Sequence, residues 1–539
     1  MHLYRISRLA LTTLLAVTAL PALPALPARL TAQSAQDSDR TTAAAWRGAI
    51  VRLEPKTAEA WQNAAVADVA FIEKALRENS PIGLVDASAP IARNLDRASA
   101  RARERAPRVR TKGGYYATLT AFGNGLGDPH AALYFYRNWN IGLAFPDAWW
   151  AGIRVRMLDS AAIVHYVAPV DSAQWRVGDR LVSCDGTALD ELVARNVLPF
   201  AEAAAEDTPD LRRQSVPRLF VDLENPFITR PTVCQRLRGG ERADVPLAWR
   251  PRTDEDVRAF TAAPSAASPA ASGPVTTIAA FTLTWPAPDV AWIRLPSFGG
   301  DSGTTAQIVL LADTLRASSK RLRAARHIIL DVRGNGGGNS FNGVRIVREI
   351  WTERELRRHG AKEESIEVAW RASPDNLAHW RQWMTDRERR GSAAGEELAF
   401  GRRIVDGMSR SLARGESLYV ERGQGINPSV RRDAPRKSVF PAAVSLLSDG
   451  SCASACLDFA DLLLSMPGTR VVGADTGGDG LLMEIRVLPV PSGLLSIAVP
   501  QKVYVNRRRG HLERYAADVR FSGPWTDEAV VRWVRDGLR

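Results

Sequence analysis

A serine stands between two alanines and two cysteines in the stretch Ser451-Cys452-Ala453-Ser454-Ala455-Cys456-Leu457-Asp458. The apolar run Val444–Leu447 precedes it, the turn Ser448-Asp449-Gly450 intervenes, and a helix-like apolar run follows. Two readings fit Ser454. It can be a nucleophile at a helix N-terminus, beside backbone N–H groups that hold an oxyanion. It can equally be an ordinary helix cap. Cys452 and Cys456 lack a nearby histidine, so they do not make a zinc pattern. Their spacing is poor for a bridge within one helix, and they read as packed thiols. A second stretch, Asp331 to Phe341, runs from an apolar strand into Gly336, Gly337 and Gly338. Consecutive glycines let a backbone approach a ligand and present N–H groups to it. The spacing matches neither phosphate-binding glycine motif, which argues against nucleotide binding.

Taken together, these stretches resemble the S41 family of serine peptidases, the carboxyl-terminal processing and tricorn-like branch. The family pattern D-x-R-x-N-G-G-G corresponds to Asp331 through Gly338, and its small-residue cluster to Cys452 through Asp458. The resemblance implies Ser454 as nucleophile and an oxyanion hole from the N–H groups of Ala455 and of Gly336 or Gly337. It implies an α/β multi-domain chain with a crotonase-like ClpP/S41 core. The segment Gly178-Asp179-Arg180-Leu181-Val182-Ser183-Cys184-Asp185-Gly186 resembles the family's PDZ-like domain, and Trp292 to Phe298 the strand that opens the core. One branch of the family places a lysine base in a glycine-rich loop after the serine. Asp479 holds that place here, and Lys502 lies in another context, so a Ser–Lys pair is disfavoured. The other branch uses histidine and glutamate. Its pattern matches Gly127-Asp128-Pro129-His130 and Gly510-His511-Leu512-Glu513, and implies His130 as general base with Glu513 supporting it. Pro129 replaces a serine found in some relatives. His511 is read as an exposed loop residue after three arginines, Asp458 as stabilising a helix start, and Arg333 as packing beside the glycine turn or pairing with a peptide carboxylate.

These residues lie far apart in a chain of 539 residues, too long for one core. Residues 1–35 read as a secretory signal: Arg5 and Arg8 precede an apolar run, with cleavage after Ala32 or Ala35. Pro21, Pro24 and Pro27 argue against a spanning helix there, and no later apolar run is long enough to span a membrane. An N-terminal helical region, 36–149, carries the His130 loop. A β-rich, PDZ-like region, 150–252, follows, in which Cys184 and Cys234 can pair. An Ala/Ser/Pro linker, 253–278, is plainest at Ala262–Pro274. Strand–helix alternation at 279–354 and 436–539 predicts the α/β core. It is interrupted at 355–435 by a charged segment expected to be a helical insertion.

The net charge is +12, and deleting the signal removes three arginines and no acid, leaving +9. Only seven lysines occur, so arginine carries the positive charge. No nucleic-acid motif accompanies it, and a solvated, arginine-rich surface is the expectation. The reading is an exported, periplasmic or secreted serine peptidase, acting on protein or peptide substrates and requiring no metal or organic cofactor. The alternatives are an inactive peptide-binding protein of the same fold and a hydrolase of non-peptide esters.

Overall fold

The computed structural model describes residues 55–135, 148–158, 161–201, 212–213, 215–253, 255–256, 281–359, 366–390, 395–422, 442–523 and 525–537. The signal at 1–35 and the linker stretch Ala262–Pro274 lie outside them. Among the described residues, no helix is long and apolar enough to cross a membrane.

The α/β alternation folds into a six-stranded sheet. Its order is Thr282–Ala287, Val290–Arg294, His327–Asp331, Ala443–Ser448, Thr469–Gly473 and Val519–Arg520. The first pair is antiparallel and the remaining pairs are parallel. A parallel sheet is covered on both faces, which is why these strands read as continuous apolar runs. Every residue of His327–Asp331 is buried. Ile328 and Leu330 pack on the helices Ser302–Ala317, Ser340–Ile350 and Ala455–Ser465, while Ile329 faces Val530 and Val534 of the last helix. The strand periodicity of two thus divides one run between two faces. The Gly336–Gly338 turn and Ser454 both follow C-terminal ends of parallel strands, adjacent in the sheet.

The N-terminal helices Ala58–Asn79, Ala89–Arg105 and Lys112–Leu126 form a second layer. Thr57 and Thr111 accept first-turn N–H groups of two of them. Val69, Leu76, Leu119 and Phe122 pack against Leu495, Ile497 and Val499 of the long strand Leu495–Tyr504. That strand pairs with Leu133–Phe135, Leu482–Pro489 and Glu367–Arg371, and the last of these with Leu418–Arg422. The segment expected as a helical insertion therefore contributes two strands besides the helices Pro374–Arg390 and Gly395–Ala413. Burial explains the difference: Ala369 faces the N-terminal helices while Val368 and Trp370 face the insertion's own core of Trp380, Ile404 and Met408. The segment 149–251 holds a six-stranded antiparallel sheet with a core of Val155, Val164, Trp175, Leu181 and Phe220. Cys184 and Cys234 sit opposite each other in it and are disulfide-bonded.

Candidate active site

Ser454 is the hinge between the strand Ala443–Ser448 and the helix Ala455–Ser465, with φ 52° and ψ −126°. A non-glycine residue there costs on the order of 1–3 kcal/mol, held only where surroundings enforce it. The hydroxyl makes no capping hydrogen bond. The cap reading of the serine is therefore not what the geometry expresses. Its Oγ instead lies 3.2 Å from Nε2 of His130, a residue 324 positions earlier.

The His130 turn is built by its own sequence. Gly127, at φ +70°, ends the helix Lys112–Leu126 in the left-handed conformation. The buried Asp128 carboxylate then accepts the His130 N–H at 2.9 Å and the Leu482 N–H at 3.3 Å. A side chain at Gly480 would strike that carboxylate, at 2.2 Å, so glycine is required for this close approach. Behind the turn, His511 Nε2 donates to the Gly127 carbonyl at 2.7 Å, and its Nδ1 lies 3.7 Å from Asp128. His511, expected as an exposed loop residue, is half-buried and braces the turn, because the Gly510–Tyr515 loop folds onto it.

On the far side of the imidazole, Nδ1 of His130 is 3.5 Å from Oδ1 of Asp479 and 3.8 Å from Asp128. His130 Nδ1 and both Asp479 oxygens are buried without a hydrogen-bond partner among the described residues. Asp128 is already engaged by two backbone donors; Asp479 is not. Arg507 and Arg509 flank Asp479 at 3.8 and 3.7 Å, and Arg509 also pairs with Asp461 at 3.0 Å. Burial pushes the Asp479 carboxyl up to about 7, against the pull of the two arginines. Burial lowers the His130 pKa, partly opposed by the Asp128 charge, so the ring is neutral at neutral pH.

Glu513 is not brought to His130. Its carboxylate is exposed and accepts the Gly510 N–H at 2.9 Å, closing its own turn. The residue that occupies the place expected for it is Asp479. The signal was a carboxylate in a loop of three glycines, Gly477, Gly478 and Gly480, at the position where a related loop carries a lysine base.

The glycine turn lies directly beneath the serine. A Cβ on Gly337 would meet the Ala453 carbonyl at 2.6 Å, Ser454 Cβ at 2.8 Å and Ala455 N at 2.9 Å. The Gly337 N–H is donated to Asn335 Oδ1 at 2.9 Å, so it is committed to the turn. A Cβ on the neighbouring Gly336 would meet open space. The Ala455 N–H opens its helix and has no carbonyl a turn back within it. Gly337→Ala also forces a side chain onto φ +103°. Because the added methyl strikes Ala455 N and displaces that donor, the substitution is expected to cut kcat at least about 100-fold, the scale of a lost oxyanion donor; steady-state kinetics on folded variant protein check this.

Arg333 is held by Asp331 and by Asp527 of the last helix, both at 2.7 Å, and so packs beside the glycine turn. Asp458 accepts the Ser340 hydroxyl at 2.6 Å and lines a cavity of about 770 Å³. The insertion supplies Trp380, Trp383 and Phe400 to its wall, and Lys502 lies there too, 3.4 Å from Glu484. Cys452 and Cys456, expected as free thiols, are disulfide-bonded. Cys452 precedes the helix, and the Ser454 bend brings it back over the first turn, with Cα atoms 5.2 Å apart.

Residues 289–520 match the profile of peptidase family S41. Among solved structures, mature CPAF aligns at 14% identity over 87% of this chain and 94% of its own, with TM-score 0.47. The photosystem II D1 C-terminal processing protease aligns at 15% identity over 88% and 98%, with TM-score 0.32. A putative S41 protease from Bacteroides fragilis aligns at 11% identity over 87% and 97%, with TM-score 0.34. No curated protein matches the chain. The match across residues 289–520, which contain the Gly336–Gly338 turn and Ser454, supports a serine-type peptidase of the S41 kind.

Proposed function

We propose that the chain is an exported endopeptidase that cleaves peptide bonds through an acyl-enzyme, with Ser454 as nucleophile, His130 as general base and Asp479 as the carboxylate behind the imidazole. The observation that carries this reading is the 3.2 Å approach of His130 Nε2 to Ser454 Oγ at a strained strand–helix turn. Neutral His130 takes the hydroxyl proton as Oγ attacks the scissile carbonyl. The N–H groups of Ala455 and Gly336 receive the developing oxyanion. The imidazolium then gives its proton to the leaving amine, and water releases the acyl group by the same steps in reverse roles. Asp479 Oδ1 and His130 Nδ1, each without a partner at 3.5 Å, close into a hydrogen bond as the ring gains charge; such contacts are often long before substrate binds. The sheet at 149–251 supports a PDZ-like reading, in which an extended peptide adds to a strand edge. The signal at residues 1–35 supports export to the periplasm or beyond.

A serine-directed phosphonate tests the reading. Purified mature protein is expected to gain one adduct, mapped by mass spectrometry to the Ser454 peptide, and Ser454→Ala is expected to gain none. Folded protein that cleaves no peptide and takes up no label would contradict it.

A further inference from the structure

The nucleophile is enclosed by a covalent loop of five residues. Cys452 and Cys456 stand two positions either side of Ser454, are fully buried, and are bonded to each other. Between them the backbone adopts the φ 52° that no helix cap requires. The Cys452 carbonyl accepts the Gly477 N–H at 2.9 Å, which ties the same segment to the loop carrying Asp479. Gly337 packs against the other side, within contact of Ala453, Ser454 and Ala455.

We propose that the Cys452–Cys456 disulfide is the clamp that holds Ser454 in its reactive conformation, and that opening it switches the peptidase off. The inference rests on the Ser454–His130 reading given above. A five-residue covalent ring restricts the backbone torsions of its interior, so the strained φ is retained after folding. With the bond open, Ser454 is free to relax to the extended cap conformation that Thr57 and Thr111 adopt at other helix starts in this chain. That relaxation turns Oγ away from His130 and swings the Ala455 N–H out of the cradle above Gly337. The switch is an ordinary two-electron exchange. A dithiol delivers two electrons and two protons, the sulfur–sulfur bond becomes two thiols, and the reagent leaves as its cyclic disulfide. Activity is then confined to oxidising compartments, where such bonds persist.

The test uses the full mature chain with Cys184→Ala/Cys234→Ala, in which the clamp is the one remaining disulfide. Dithiothreitol is added, and alkylation with mass spectrometry verifies two free thiols. The expected result is a kcat lowered about 10- to 100-fold, the scale of a misplaced oxyanion donor or nucleophile. KM should stay within about threefold, because binding contacts remain. Reoxidation should restore the rate. Cys452→Ala/Cys456→Ala should show the same kcat loss without reductant and no response to it, which decides the matter if the buried bond resists reduction. Verified reduced protein, or the alanine pair, with wild-type kcat would overturn the clamp. So would a loss of near-ultraviolet circular dichroism together with kcat, since that marks collapse of the core. Phosphonate labelling separates the two levels. Oxidised protein that is never labelled sinks the peptidase reading itself. Oxidised and reduced forms labelled at equal rates sink the clamp alone.

Discussion

His130→Ala is expected to lower kcat by about 10⁴-fold or more while leaving KM within a few-fold, the scale seen when a triad member is removed. The ring is neutral and held in place by its own turn, so its basicity is available at neutral pH. Among the described residues, no other imidazole hydrogen-bonds Ser454. His511, the nearest competitor in sequence terms, spends Nε2 on the Gly127 carbonyl and its Nδ1 faces Asp128. The variant should retain native circular dichroism and bind peptide, because the Asp128 turn is stabilised by backbone donors that the substitution leaves in place. Steady-state kinetics and phosphonate labelling of the variant check this together.

Asp479→Asn is expected to be nearly as damaging, about 10³- to 10⁴-fold in kcat, since an amide cannot stabilise the imidazolium and can impose the wrong tautomer. Its pH behaviour is more telling than its size. In the wild type, burial sets the Asp479 carboxyl at about 7, and activity rises as that carboxyl loses its proton. The variant should lose the transition near 7 and keep a weaker one below the usual histidine range, because burial lowers His130. Stability moves the other way. The folded pKa of Asp479 lies above the unfolded carboxylate value of about 3.9. Between those values the folded chain holds a proton that the unfolded chain has released, so stability falls as pH rises toward 7. Asparagine removes that loss. The variant should be more stable than wild type at about pH 8, by on the order of 1–3 kcal/mol, and little changed near pH 4. Urea unfolding at the two pH values measures it.

How much of this was legible in the residues follows from how local each feature is. Ser454 and the Gly336–Gly338 turn could be read because strand, glycine and helix signals are contiguous there. The Asp128–His130 turn could be read for the same reason, with Gly127 ending a helix just before it. The acid partner could not. Glu513 lies in a loop that does approach the site, yet one Gly510 N–H turns its side chain outward. In the sequence Asp479 marks only the absence of a lysine; the role proposed for it depends on Arg507 and Arg509 holding a carboxylate beside a ring from the other end of the chain. The Cys452–Cys456 bond is not legible in the spacing, because four residues on a straight helix disfavour a bridge, whereas Cys452 lies outside the helix, beyond the Ser454 bend. The strands Glu367–Arg371 and Leu418–Arg422 were hidden by flanking charge, and only the long strand Leu495–Tyr504 gives them a partner.

The identity of the acid behind His130 separates this site most sharply from the arrangement its motifs imply. Measuring kcat/KM across pH for Asp479→Asn and Glu513→Gln side by side tests it directly. The expected result is collapse with loss of the transition near 7 in Asp479→Asn, and a profile within about twofold of wild type in Glu513→Gln, as for an exposed surface group. Collapse in Glu513→Gln with Asp479→Asn unaffected would contradict the assignment.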